Sequence, residues 1–204
     1  KSVPEYNMDF YGALYPEQYT FKYPKAGEVN SIVTAHLVSL ENKKTQAIDL
    51  GTYEYIPRLN WSAKSNQLII QTMNRHQNEL KYWLVDVVKG KASSKNFFTE
   101  TSKTYVDIDD NLLILKDGQS ILRTSEENGY RHIFQLNFDG STKQITNGPW
   151  DVIDFIGFDE YTQQIYFSSA ERGAINKSIY AIQLNGLNMI SASHKKSTKS
   201  TNGK

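Results

Sequence analysis

The sequence contains no cysteine, and this absence excludes several kinds of chemistry at once. Without thiols the chain has no disulfides, no thiolate metal ligands and no cysteine nucleophile. Long apolar runs are also missing, so no stretch of the sequence is typical of a membrane-spanning helix. The formal net charge is only +1, from 23 basic and 22 acidic residues. Such a balance predicts no nucleic-acid partner, because phosphate binding needs a strongly basic surface.

The sequence also lacks an initiator methionine and a charged-then-apolar leader at its start, which is Lys1. We therefore expect the chain to be a piece of a longer protein. A piece of this kind does not report the targeting of its parent.

Aromatic residues and turn signals are plentiful. Tyrosine occurs 13 times and aromatic residues make up 12% of the chain, a composition that favours half-buried strands. No segment longer than about ten residues repeats apolar residues at a helical spacing. Four strand-like runs in residues 111–146 are instead separated by Asp117-Gly118, Asn128-Gly129 and Asp139-Gly140. Asp-Gly and Asn-Gly pairs are strong hairpin signals, because two-residue turns need positive φ angles.

A unit of strands and turns recurs along the chain. The turn after the third strand of each unit falls near Glu41, Asp86, Asp139 and Asn185, at spacings of 45, 53 and 46 residues. A period of about 40–50 residues with four strands per unit is typical of β-propeller blades. The sequence therefore predicts an all-β fold, a fragment of a β-propeller with about three to four four-stranded blades.

The chain divides into two predicted parts. We assign residues 1–186 to the partial propeller domain. Its first 30 residues are rich in Tyr and Pro and lack clean alternation, which predicts an edge strand followed by an extended connection. Residues 187–204 end in a Ser-, Thr- and Lys-rich stretch, which predicts a truncated, disordered tail.

One short segment, SEENGYRHIF, concentrates reactive side chains. They are Ser125, Glu126, Glu127, Arg131 and His132. A serine hydrolase needs a nucleophile, a base and an orienting acid, so a Ser–His–Glu set is one interpretation. No Gly-x-Ser-x-Gly elbow occurs in the sequence. The simpler interpretation is a charged hairpin on mostly exposed turn positions, with a Glu–Arg pair, and we expect no catalytic residue here.

Residues 107–112 begin like a calcium-binding loop. Asp107, Asp109 and Asn111 occupy its positions one, three and five. Position six is Leu112 and position twelve is Gly118, whereas such a loop requires Gly and Glu there. A solvated loop is therefore the preferred interpretation.

Other candidate sites have equally simple explanations. The histidines are His36, His76, His132 and His194. They show no paired spacing of the kind that metal sites use. Two aromatic pairs could form binding platforms, although such residues more often pack between blades. These pairs are Tyr82-Trp83 and Phe97-Phe98.

The C-terminal tail carries a weak catalytic motif and a basic run. Ser193 and Lys196 match the Ser-x-x-Lys pattern of some acyl enzymes. They lie in the predicted tail without a supporting motif. With Lys195, Lys199 and Lys204, the tail is more simply explained as solvated charge than as a nucleic-acid arm.

Four segments in order carry a resemblance to a known family. They are YPKAGEVN (23–30), YIPRLNWSAKSNQLIIQTMNRHQNELKYWLVD (55–86), SEENGYRHIFQLNFDGSTKQITNGPWDV (125–152) and IYFSSAE (165–171). Together they resemble the N-terminal β-propeller of the dipeptidyl peptidase IV family, and the bacterial members look most similar. The resemblance covers residues 1–186, with a weak match in residues 92–110. In the family, that region approaches the substrate groove.

The resemblance implies a serine exopeptidase as parent, one that releases N-terminal Xaa-Pro or Xaa-Ala dipeptides. In the family the propeller caps an α/β-hydrolase domain that carries the catalytic Ser, Asp and His. The paired glutamates that grip the substrate's amine lie upstream of the segment resembled here, so Glu126 and Glu127 are not that pair. The resemblance therefore assigns no catalytic, substrate-binding, cofactor or metal residue to this chain.

We accordingly expect a non-catalytic propeller segment that gates substrate access to a hydrolase domain absent from this chain. The expected partners are peptide N-termini, the C-terminal hydrolase domain of the same protein, and a second copy of the parent in a homodimer. The family dimerises through the hydrolase domain and a propeller arm. The expected location of the parent is the periplasm or cell envelope. The alternative is a stand-alone propeller-like binding or scaffold module, since one fold hosts many functions.

Overall fold

Three four-stranded and two two-stranded sheets make up the structure, a computed structural model that describes residues 2–62 and 64–191. Within every sheet the strands pair antiparallel and in chain order. None of the described residues belongs to a helix that is long and apolar enough to cross a membrane. The prediction of an all-β fold with four-stranded units is confirmed.

The strands fall into five groups along the chain. The N-terminal hairpin comprises β1 Glu5–Phe10 and β2 Glu17–Lys22. The next pair is β3 His36–Val38 and β4 Thr45–Ala47. The first blade contains β5 Tyr55–Trp61, β6 Gln67–Met73, β7 Glu79–Val88 and β8 Lys91–Thr101. The second blade contains β9 Leu113–Ile114, β10 Ser120–Ser125, β11 His132–Asn137 and β12 Thr142–Gln144. The third blade contains β13 Val152–Asp159, β14 Gln164–Ser169, β15 Ser178–Gln183 and β16 Ile190–Ser191.

Apolar layers hold the blades together. The layer between the first and second blades contains Ile69, Met73, Leu80, Tyr82, Phe97, Val106, Ile121 and Leu136. The layer between the second and third blades contains Leu115, Leu122, Ile133, Ile145, Val152, Ile165, Phe167, Tyr180 and Ile182. Strand β11 supplies Leu136 to one layer and Ile133 to the other, because side chains alternate along a strand. Each aliphatic side chain buried here contributes about 1.5–3 kcal/mol of transfer free energy.

Three of the four residues in the two aromatic pairs lie in the layer between the first and second blades. Tyr82 and Phe97 are buried in the layer between the first and second blades, and Phe98 packs against it. Trp83 lies on the opposite face of the first blade, where its indole nitrogen donates to the Thr72 hydroxyl at 2.8 Å. The interpretation that such residues pack between blades is confirmed for Tyr82, Phe97 and Phe98, whereas Trp83 packs in the cluster that the first blade shares with the β3–β4 pair.

The β3–β4 pair packs on the outer face of the first blade. Buried Ala35, Ile48 and Leu50 share an apolar cluster with residues of the first blade. The side-chain amide of Gln46 accepts a hydrogen bond from the Ala92 N–H at 3.0 Å and donates one to the Ala92 carbonyl at 3.1 Å. This contact satisfies backbone groups at the free edge of β8, which otherwise could pair with another chain.

The N-terminal hairpin corrects the prediction of one edge strand and an extended connection. Strands β1 and β2 pair over their whole length. Tyr6, Met8 and Phe10 alternate with polar residues on β1, and Tyr19 and Phe21 do so on β2. The exposed segment 11–16 between the strands is itself rich in tyrosine, and it obscured this alternation.

The end of the third blade extends beyond residue 186. Strand β16 pairs with β15 through Ile190 and Ser191. Residues 187–191 therefore complete the third sheet. The remainder of the predicted tail, with Ser193, His194 and the tail lysines, lies outside the described residues, so its disorder stays a prediction.

Candidate functional site

A cleft of about 490 Å³ lies between the first and second blades. It is lined by residues 100–107, 109, 124–127, 129 and 131, and we call it the blade cleft. The end of β8, the connection to β9 and the turn between β10 and β11 meet there. The cleft therefore unites the charged SEENGYR segment with region 92–110, although the two lie far apart in sequence.

Ser125 and His132 are buried, not exposed as the sequence had suggested. They are directly opposite each other in the pairing of β10 with β11, and the packing of the neighbouring blades covers these strand ends. The Ser125 hydroxyl donates to a Glu100 carboxylate oxygen at 2.5 Å and accepts from the Glu127 N–H at 3.1 Å. Its partners are therefore acidic and backbone groups of the cleft floor.

His132 uses both ring nitrogens in structural contacts. Nδ1 lies 3.1 Å from the Thr146 hydroxyl and Nε2 lies 3.0 Å from the Gly148 carbonyl. The ring meets Trp150 edge to face, with centroids 5.0 Å apart. Burial lowers the pKa of His132, although the hydrogen bond to Gly148 opposes this shift. Because Ser125 and His132 bond to different partners, the geometry provides no Ser–His pair.

Arg131 sits at the rim of the blade cleft. Its guanidinium contacts Glu126 at 3.1 Å and Asp107 at 3.0 Å. The Glu–Arg pair predicted for this turn is confirmed. Since all three side chains are partly exposed, water screens the pairs and their contribution to stability is small.

Asp107 and Asp109 bond to groups of their own loop and of the β10–β11 hairpin. Asp109 accepts hydrogen bonds from the Thr124 N–H at 2.9 Å and the Asn111 N–H at 3.0 Å. Asp107 pairs with Arg131. In the part of the chain that the structure describes, no group of three His, Cys, Asp or Glu side chains could hold a metal ion. His36 Nε2 lies 3.0 Å from the Thr34 hydroxyl.

Arg123 is the residue that sequence analysis missed. Its side chain is only 2% exposed, and its guanidinium donates to Glu100 and, at 3.1 Å, to Glu127. The guanidinium carbon also lies over the rings of Phe98 at 4.9 Å and of Tyr82 and Phe134 at 5.6 Å. Burial raises the pKa of Tyr82 to about 12, so this phenol stays neutral beside the cation.

A signal for Arg123 was present in the sequence. In strand β10, Arg123 alternates with Ile121 and so faces the first blade. A single arginine at a position that faces a core requires an acidic partner on the neighbouring element. Glu100 is that acidic partner, but the spacing of residues in the sequence did not show that it lies opposite Arg123 on the first blade.

Comparison with known proteins identifies the family. A sequence model described as "Dipeptidyl peptidase IV (DPP IV) N-terminal region" matches residues 1–203. A probable dipeptidyl-aminopeptidase B of Phaeosphaeria nodorum is 30% identical over 191 residues, which cover 84% of this chain and 21% of that protein. The inactive dipeptidyl peptidase 10 of Mus musculus is 29% identical over 196 residues, covering 87% of this chain and 24% of the relative.

Two solved structures share the fold. The crystal structure of Porphyromonas gingivalis dipeptidyl peptidase 4 matches with a TM-score of 0.81 and 34% identity over 93% of this chain and 27% of that chain. A putative dipeptidyl aminopeptidase IV from Bacteroides ovatus matches with a TM-score of 0.76 at 20% identity, over 92% of this chain and 29% of that chain. The chain thus spans about a quarter of the length of these proteins. It belongs to the dipeptidyl peptidase IV N-terminal region family.

Proposed function

We propose that the parent protein is a serine-type exopeptidase that releases N-terminal Xaa-Pro or Xaa-Ala dipeptides, and that this chain is a non-catalytic segment of its propeller. The family match over residues 1–203 carries this proposal. The bonding of Ser125 to Glu100 is consistent with a structural role for the reactive segment. The catalytic triad would lie in a C-terminal hydrolase domain, which we propose as the intramolecular partner.

The test is dipeptide release by the full-length parent. We expect it to cleave Xaa-Pro and Xaa-Ala peptides that have a free amino terminus and to leave the N-acetylated forms intact. Equal cleavage of the acetylated forms would contradict an exopeptidase mechanism.

We further propose that the propeller gates the active site by size. A rigid wall of packed blades admits a thin, unfolded N-terminus and excludes a folded domain, which gives selectivity without chemistry. The two buried layers support this role, because they make the wall continuous from the first to the third blade. The check is to present one N-terminal sequence on a short peptide and on a folded protein. Comparable kcat/KM for both would refute gating.

The alternative function is a binding or scaffold module without peptidase activity. One observation favours it, since a relative at 29% identity is named an inactive dipeptidyl peptidase. A parent that is folded yet releases no dipeptide from any free N-terminus would support this alternative over the first proposal.

We also propose that the parent is a homodimer. The N-terminal hairpin supports this, because Phe10 and Tyr19 on one face are 55% and 59% exposed. An isolated two-stranded hairpin is marginally stable in water, so an exposed aromatic face of this kind calls for a partner. A second copy of the parent is the occupant that we propose.

For the location of the parent we propose the periplasm or cell envelope. The 34% identity to the bacterial structure from Porphyromonas gingivalis supports a bacterial origin, on which this proposal rests. Fractionation of the source cells tests this proposal, and recovery of the parent with cytoplasmic markers would contradict it.

A further inference from the structure

Three Asn-Gly pairs occur in the described part of the chain, and their asparagines are all exposed. They are Asn128-Gly129, Asn147-Gly148 and Asn185-Gly186. Asparagine is thermolabile, because the main-chain nitrogen of the following residue can attack its side-chain amide carbon. Glycine leaves this approach open, since it has no Cβ. The three pairs share the same intrinsic chemistry, so only their surroundings distinguish them.

The Asn128-Gly129 pair is held at both reacting groups. The Gly129 N–H donates to the Glu126 carbonyl at 2.9 Å, and the Asn128 side-chain amide donates to Gln144 Oε1 at 2.8 Å. Attack requires the Gly129 nitrogen to lose its proton and the Asn128 side chain to turn. Both hydrogen bonds must therefore break before this pair can react.

The Asn185-Gly186 pair is held in a similar way. The Gly186 N–H donates to the Gln183 carbonyl at 2.8 Å. Asn185 Oδ1 accepts from the Leu187 N–H at 2.8 Å, and Asn185 Nδ2 donates to Gln183 Oε1 at 3.3 Å. The attacking nitrogen and the attacked side chain of this pair are therefore occupied as well.

The Asn147-Gly148 pair, in the connection between the second and third blades, is different. Neither the Asn147 side chain nor the Gly148 N–H forms a hydrogen bond with any residue that the structure describes. Gly148 is instead held through its carbonyl oxygen, which lies 3.0 Å from His132 Nε2. Attack of the Gly148 nitrogen on the Asn147 side chain therefore breaks no hydrogen bond within the described residues.

We propose that Asn147 is a site of spontaneous deamidation. The Gly148 nitrogen bonds to the side-chain carbon of Asn147 as it loses its proton, and the amide nitrogen leaves with that proton as ammonia. Water then opens the resulting cyclic imide at either carbonyl, which gives aspartate or isoaspartate. The new carboxyl oxygen comes from water, so the reaction needs no oxidant or other reactant. This inference does not depend on the proposed peptidase activity.

The isoaspartate product weakens the connection between the second and third blades. The main chain then runs through the side chain of residue 147 and is lengthened by its Cβ atom. This longer path displaces the Gly148 carbonyl from His132, the first residue of β11. The segment that leads from β12 to β13 thereby loses an anchor to the second blade.

The test incubates the folded full-length parent at mildly alkaline pH in water labelled with heavy oxygen. Each deamidation during the incubation leaves heavy oxygen in the new carboxyl group, whereas later digestion in ordinary water adds none. Fragmentation of the peptides in the mass spectrometer assigns the label to single residues. Trypsin places the three pairs on separate peptides, which are residues 124–131, 144–172 and 178–195.

We expect label to accumulate at Asn147 at least about tenfold faster than at Asn128 and Asn185, since breaking two hydrogen bonds slows a reaction by at least about that factor. In urea the three rates should become similar. Equal rates in the folded parent would overturn the proposal. A preference for Asn147 that persists unchanged in urea would overturn the structural explanation, because the local sequence would then be its cause.

Matched variants test the structural consequence. Asn147→Gln and Asn128→Gln each remove one reactive pair, because glutamine must close a larger ring and reacts more slowly. After incubation, the amide hydrogens around His132 and Gly148 should exchange faster in the wild type and in Asn128→Gln, and at an unchanged rate in Asn147→Gln. Faster exchange in Asn147→Gln as well would overturn the link between deamidation and a weakened connection.

Discussion

At the scale of single residues, Arg123 carries its charge where water does not reach it. Removing an ion from water costs several kcal/mol, and this cost is recovered only when partners surround it. Arg123 has two carboxylates and three aromatic faces as partners. The residue therefore joins the first and second blades by a contact that depends on all of them.

Replacing Arg123 with Met should lower the free energy of unfolding of the chain by about 3–5 kcal/mol, because Glu100 then keeps a buried charge without its cation. Urea denaturation measures this change. Arg58→Met is the control, since Arg58 pairs with Asp110 at 2.5 Å on the exposed surface, and its effect should be much smaller. Equal losses in the two variants would contradict the assignment of Arg123 as a buried ion.

His132 should make the chain less stable in acid. Burial lowers its pKa in the folded state, so the unfolded chain binds a proton more readily than the folded one as pH falls through about 6.5. The neutral, buried His132 therefore favours the folded state above that pH, and this contribution to the unfolding free energy is lost as the pH falls below it. The change in unfolding free energy between pH 7.5 and 5 should therefore be smaller in His132→Gln than in the wild type.

The exposed His76 provides the matched substitution for this experiment. Measured beside His132→Gln, the His76→Gln variant controls for the exchange of His for Gln itself. If His132→Gln and His76→Gln show the same change in unfolding free energy with pH, protonation of His132 does not contribute to the acid sensitivity of the chain.

Several of these residue-level features could not be predicted from one sequence. Ser125 precedes and His132 follows the Asn128-Gly129 turn signal, which suggested exposure, but Ser125 is the last residue of β10 and His132 is the first residue of β11, and the two residues pair with each other. Their burial comes from neighbouring blades, and sequence patterns report the alternation within a strand, not what covers its end. The Glu126–Arg131 pair was predictable because both residues belong to one hairpin.

At the scale of elements, the two hairpin turns of the second blade differ in what they contact. Gly129 and Gly140 have similar positive φ angles of 91° and 93°. A Cβ at Gly129 would meet nothing within 4 Å, whereas one at Gly140 would lie 2.7 Å from the Phe97 carbonyl oxygen. The turn between β11 and β12, which contains Gly140, therefore also contacts the first blade.

Substituting each glycine with Ala separates backbone strain from this contact. Both variants carry the cost of a positive φ, but Gly140→Ala should lose at least about 1 kcal/mol more unfolding free energy than Gly129→Ala. Thermal and urea unfolding of the two variants give the difference. A difference near zero would mean that the turn moves away from Phe97 without cost.

The N-terminal hairpin has one aromatic and one polar face, which allows a matched test of homodimerisation. Phe10→Lys/Tyr19→Lys should convert a dimeric parent to monomers in sedimentation velocity, because the substitutions place charges on the exposed aromatic face. Asn7→Lys/Thr20→Lys alters the opposite face, where the Thr20 hydroxyl donates to Asn7 at 2.7 Å, and should leave the dimer intact. Loss of the dimer in both variants would indicate general damage to the hairpin.

Elements with buried faces were predictable, and elements at sheet edges were less so. Strand β6 is wholly buried and β7 and β11 each bury several side chains, and the sequence indicated each of these strands. Strand β8 pairs along its length with β7 through backbone bonds, but its side chains are largely polar because it lies at the sheet edge. Hydrophobic periodicity therefore carries little information about β8.

At the scale of the whole molecule, regular spacing was the most informative feature of the sequence. The turns near Asp86, Asp139 and Asn185 correspond to the third strands of the three blades, whereas Glu41 lies in the turn between β3 and β4 of a two-stranded sheet. The spacing predicted the architecture because a blade cannot bury its faces alone and must repeat. The blade cleft was not predictable in the same way, since it combines residues of two blades and a connection.

The most direct test of the account compares the 204-residue chain with the full-length parent on one Xaa-Pro peptide with a free amino terminus. We expect dipeptide release by the parent and none by the chain alone, at equal molar concentration and with both proteins folded. Release by the chain alone that Ser125→Ala abolishes would contradict the account, because the catalytic centre would then lie in this propeller segment.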